Sequence, residues 1–78
     1  MKVEEIQTRA MTNFRYCVRQ AGYHKEKEDF KTMNYFQAGY HFLWGVLQDL
    51  GIEEDIIEHA YCEEMTAGER RAYDESDA

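Results

Sequence analysis

At 78 residues the chain lies near the lower limit for a single hydrophobic core, which excludes a second independent domain. Hydrophobic residues make up 44% and aromatic residues 14%, more apolar material than a disordered chain carries despite a formal charge of -7, so one folded domain over residues 1 to 78 is expected. No run approaches the ~18 apolar residues of a bilayer span, and the acidic start Met1-Lys2-Val3-Glu4-Glu5 is unlike a secretory leader, which predicts a cytoplasmic protein with no membrane association.

In the first segment Val3, Ile6, Ala10, Phe14, Cys17 and Ala21 follow one another by three or four residues and share one stripe, predicting a helix over residues 3 to 21. Gly22 follows directly and is suited to end it in the left-handed conformation, with the polar run 23 to 27 as the turn. Cys17 reads as a small core residue. It could pair only with Cys62, and a reducing compartment disfavours that bridge. A small chain without such staples often completes its core across a subunit interface, so a homodimer or structural homo-oligomer is one expected arrangement.

The second helix is predicted over residues 28 to 50 from Met33, Phe36, Tyr40, Leu43, Leu47 and Leu50. Gly51 reads as its left-handed cap, with Leu47 and Ile52 at the two contact positions of a Schellman motif. Projected at ~100° per residue, Tyr35, Phe42 and Val46 lie on one flank of the main stripe and Trp44 on the other. So broad an apolar arc makes helix 2 the expected centre of the bundle, with part of that flank left over for a partner or a twin. On the oligomer reading, Phe42→Ala or Trp44→Ala is expected to dissociate the assembly. Gly39 and Gly45 each cost about 1 kcal/mol of helix propensity, which suggests close approach of a neighbouring helix.

A third helix is predicted over residues 53 to 65, where Glu53, Glu54 and Asp55 suit the positive end of the helix dipole and Ile52, Ile56 and Ala60 form a short stripe. Thr66-Ala67-Gly68-Glu69 has capping-box spacing, which suggests a brief fourth helix over 67 to 73 before an acidic tail, 74 to 78. The expected fold is therefore all-α, a small bundle of three main helices with a short fourth at the C-terminal end.

Charge is uneven along the chain. Residues 1 to 50 hold seven Lys or Arg against six Asp or Glu, and residues 51 to 78 hold two against ten. An acidic surface steers basic partners, and Glu53, Glu54, Asp55 and Glu58 could imitate the phosphates of a nucleic acid in the groove of a DNA- or RNA-binding protein, as in inhibitors from phages or mobile elements. The alternative is a solvated face that serves solubility. Direct nucleic-acid binding is not expected: Arg15, Arg19, Lys25, Lys27 and Lys31 belong to a half-chain that sums only to +1. The basic face of helix 1 is expected instead to meet acidic residues of the C-terminal part, within the chain or across a homodimer.

The sharpest chemical grouping is Asp55, His59 and Cys62, on one face of helix 3 at intervals of four and three residues. A metal there would need a fourth ligand such as His24, His41 or Glu63, and neither Cys-x-x-Cys nor His-Glu-x-x-His spacing supports one. A cysteine nucleophile would need an oxyanion hole and a pocket, for which 78 residues leave little room. Neither enzyme activity nor a cofactor is expected. The function predicted is a non-catalytic protein-protein interaction or regulatory role, through the aromatic flank of helix 2, the acidic C-terminal face, or both.

Overall fold

In a computed structural model that describes residues 2 to 76, the chain forms α1 (Val3–Glu26), α2 (Phe30–Asp49) and α3 (Glu54–Ser76) and, among the described residues, no strand. The short connections make α2 antiparallel to both neighbours, so α1 and α3 run parallel. Arg15 meets Glu64, and further along Tyr23 meets Glu75, as a parallel pair requires. No helix of the described residues is long and apolar enough to cross a membrane.

The termination of α2 follows the sequence reading. Gly51 takes φ 86°, the Ile52 N–H donates to the Leu47 carbonyl at 3.0 Å and the Gly51 N–H to Gln48 at 3.0 Å, the two bonds of a Schellman motif. At its other end Asp29 accepts from the Thr32 N–H, which caps α2 and holds the Asp29 carboxyl below its ordinary value.

The end of α1 differs from expectation. Gly22 is helical and buried in mid-helix, and α1 runs on to Glu26. The same pair of Schellman bonds closes it with the left-handed residue at 28 instead of 22, Asp29 N–H to His24 at 2.9 Å and Glu28 N–H to Lys25 at 3.1 Å, with Glu28 at φ 59°. A non-glycine residue is strained there, so Glu28→Gly is expected to raise stability by about 0.5–1 kcal/mol in urea unfolding. No gain would show that Glu28 contributes enough elsewhere to offset its backbone conformation.

The expected fourth helix is also corrected. α3 continues unbroken through Thr66–Glu69 and takes in Asp74 to Ser76 of the expected tail; Asp77 and Ala78 lie outside the described residues. Its buried face is Ile57, Ala60, Glu64, Gly68 and Ala72, not the stripe read from Ile56, which is exposed. The small residues Ala60, Gly68 and Ala72 on this face let the α1 and α3 backbones approach closely. A Cβ on Gly22 would stand 2.6 Å from the Met65 carbonyl oxygen, and one on Gly68 would collide with the Arg19 carbonyl oxygen and stand 2.8 Å from the Tyr23 amide nitrogen. Both glycines are contact surfaces, not helix ends.

For the same reason α1, and not α2, is the spine. It packs along most of its length on both other helices, while α2 and α3 touch only locally, through Tyr40 and Trp44 on Tyr61 and through Trp44 and Gln48 on Glu54. Its buried face is Ala10, Phe14, Val18, Ala21 and Gly22; Val3 and Ile6, at the start of the expected stripe, are exposed. Phe14 sits at the centre, edge-on to Tyr40 and Trp44.

Burial, first, and the neighbouring Tyr61, second, push the Tyr40 phenol up to about 12. Folded chain then binds more protons than unfolded chain between pH 10 and about 12, so stability falls as pH rises through that window. Ultraviolet titration is expected to show Tyr40 ionising late. A Tyr40 phenol ionising near 10 in the folded protein would contradict this environment.

Candidate protein-interaction face

The α1–α3 seam is charged, and its charges are met within the chain. Glu64, 8% exposed, receives Arg15 at 2.9 Å on one oxygen and Arg19 at 3.2 Å on the other. Lys25 reaches Glu69 at 3.0 Å, and the Tyr23 hydroxyl donates to Glu75, which also receives Lys27 and Arg71. That hydrogen bond, before the two cations, holds the Glu75 carboxyl below its ordinary value, and the Tyr23 phenol is raised in return. The polar run read as a turn is thus the end of α1 reaching α3, and the basic face of α1 meets the C-terminal carboxylates intramolecularly.

Among the described residues, exposed carboxylates outside any ion pair lie at both ends of the bundle, Glu26, Glu28 and Asp74 at one and a larger group at the other. There the start of α1, the end of α2 and the start of α3 bring together Glu4, Glu5, Asp49, Glu53, Asp55 and Glu58, all exposed, with Lys2 and Arg9 nearby in sequence. Two of these helix ends are N-termini, whose unpaired amides favour carboxylates. Glu54 is different: it accepts from the Trp44 indole N–H at 3.1 Å and from Gln48 at 2.7 Å, tying the start of α3 to α2. Of the four carboxylates expected to act together, Glu53, Asp55 and Glu58 are free of that bond.

The grouping on α3 does not assemble into a ligand set. His59 turns to Glu63 at 3.2 Å, an Asp55 oxygen accepts from the Ile56 N–H, and Cys62 is exposed. Among the described residues no group of three or more His, Cys, Asp or Glu is placed to hold a metal ion. His24 stacks on Phe36 and faces Asp29, and His41 is exposed beside Tyr40.

The outer face of α2 has a different character. From residue 32 to residue 48 no Asp, Glu, Lys or Arg occurs, in a chain that is 32% charged. Tyr35 and Phe42, about two turns apart on the same row, are 74% and 73% exposed, and Ala38 between them is exposed too. Beside this row lies an open groove of about 530 Å³ lined by Tyr16, Cys17, Tyr35, Phe36, Gly39 and Phe42. Tyr16 and Phe36 meet edge-on at 5.9 Å. Cys17 stands where a Cβ on Gly39 would come within 3.2 Å of its sulfur, and burial pushes its thiol up, so it is held neutral.

The two flanks of α2 therefore part company. Tyr35 and Phe42 stay in solvent, as a free flank requires, and Val46 is half-buried beside the core. Trp44 is engaged internally, between Phe14 and Tyr61 with its N–H on Glu54, so a change there acts on the fold and not on a partner. Tyr16 and Phe36 are the residues that the flank reading missed. Tyr16 lies one position off the α1 stripe, and only the packing of the two helices brings it beside Phe42.

Comparison of the chain with protein-family models, curated proteins and solved structures finds no match.

Proposed function

We propose that the protein is a non-catalytic interaction or regulatory protein whose working surface is the uncharged aromatic face of α2 with its adjoining groove. The observation that carries this reading is the exposure of Tyr35 and Phe42 on a charge-free row. Contiguous exposed aromatics cost solvation without a partner and dominate binding energy with one. The reduced cysteines, one half-buried and one exposed, suit a reducing compartment such as the cytoplasm.

Affinity capture of the tagged chain at low and high salt tests the reading. Association through this face is expected to survive high salt, because it is apolar, and to be lost in Phe42→Asp. Retention by Phe42→Asp and Tyr35→Asp alike would refute it.

A second reading rests on the exposed carboxylates at one end of the bundle, which would occupy the nucleic-acid groove of a basic protein. A partner of that kind is expected to leave at high salt and to be lost when Glu53, Glu54, Asp55 and Glu58 are neutralised together. Retained binding by that quadruple variant would remove this reading.

A further inference from the structure

We infer that the charge-free face of α2 is a self-association surface, on which a second copy of this chain docks with its own α2 antiparallel. The inference rests on the reading of that face as the working surface. A two-fold interface has to be self-complementary, since each copy presents the same patch to the other. The row along α2 has that symmetry: Tyr35, then Ala38 and Gly39, then Phe42, a large ring at each side of two small residues. Antiparallel pairing about an axis between Ala38 and Gly39 sets Tyr35 of each copy opposite Phe42 of the other. The small residues then fall at the crossing, where backbones come nearest. Each exposed Phe42 ring is carried to the other copy's groove, whose volume of about 530 Å³ holds an aromatic side chain.

Charge selects the orientation. Lys31 and Asp49, both exposed, close the row at its two ends, within about 40° of Tyr35 and Phe42 at ~100° per residue. Antiparallel copies bring Lys31 of one toward Asp49 of the other, with a stagger of about 4.5 Å that a lysine side chain spans. Parallel copies would set lysine against lysine and aspartate against aspartate. The molecule carries a formal charge of -7, none of it between these two residues, so this is also the face on which two copies meet without opposing carboxylates.

The size is sufficient. A face of two helices about 30 Å long and about 20 Å wide covers roughly 600 Å² per copy, about 1,200 Å² in all, at the lower end of specific interfaces. Affinity on the order of micromolar is expected.

Sedimentation equilibrium of the full chain from about 1 to 100 µM is the test. The mass is expected to rise from 9.3 kDa toward twice that value. Phe42→Asp should remain at the single-chain mass, and Lys31→Glu and Asp49→Lys should each weaken association on the order of tenfold, with the double exchange restoring it. These side chains are exposed, so unchanged circular dichroism accompanies each variant. A constant 9.3 kDa overturns the inference, as does a dimer indifferent to Phe42→Asp or charge variants that the double exchange fails to rescue. If the chain is monomeric throughout yet holds a salt-resistant partner that Phe42→Asp releases, self-association fails alone and the proposed function stands.

Discussion

Gly68→Ala is expected to destabilise the fold by about 3 kcal/mol, against a local propensity that favours alanine by about 1 kcal/mol in a helix interior. The added methyl would collide with the Arg19 carbonyl oxygen and stand 2.8 Å from the Tyr23 amide nitrogen, and both are backbone atoms of a helix. No side-chain rotation relieves that contact, so α1 and α3 must move apart along a seam that also carries Arg15, Arg19 and Lys25 on Glu64 and Glu69. Gly45→Ala is the control. A Cβ there meets nothing within 4 Å, so the same substitution is expected to stabilise the dilute chain by about 0.5–1 kcal/mol. Urea unfolding of the two variants should shift in opposite directions. Equal shifts would mean that α1 and α3 do not pack at this distance.

Phe14→Ala is expected to remove about 3–5 kcal/mol, the usual loss for a fully buried phenylalanine. Phe14 is 0% exposed and meets the rings of Tyr40 and Trp44 at 6.4 and 5.6 Å. A chain of this size is stable by only about 4–12 kcal/mol, so the loss is a large fraction of the total and should lower the urea midpoint strongly. Trp44 is the sole tryptophan and is in contact with the deleted ring, so its fluorescence reports the change directly. Phe42→Ala in the dilute chain should shift stability by less than about 0.5 kcal/mol, since that ring is 73% exposed. A large loss in Phe42→Ala with little in Phe14→Ala would invert the assignment of core and free face.

The contrast between these two phenylalanines was only half legible in the sequence. Periodicity placed Phe14 on the main stripe of α1 and Phe42 on a flank of α2, and both placements hold. It placed Trp44 on the other flank and left open whether that flank is buried or free, because a helical projection gives a direction and says nothing of what stands there. Glu54 and Tyr61, ten and seventeen positions away, occupy that direction. The groove beside Phe42 was not legible at all, since its wall comes from Tyr16 on another helix.

Local chemistry by itself determined that the chain is helical, that three main helices form, and that α2 ends at the left-handed Gly51, because these depend on residues within a turn or two of one another. The tertiary structure alone decided where α1 and α3 end, which helix is the spine, and which carboxylates are left unmatched. A glycine inside a helix reads locally as a breaker, whereas Gly22 and Gly68 are kept helical by a backbone more than forty residues away that approaches only because they lack a Cβ. Likewise a polar run such as Tyr23 to Lys27 reads as solvent-facing until the carboxylates of Glu69 and Glu75 are brought alongside it.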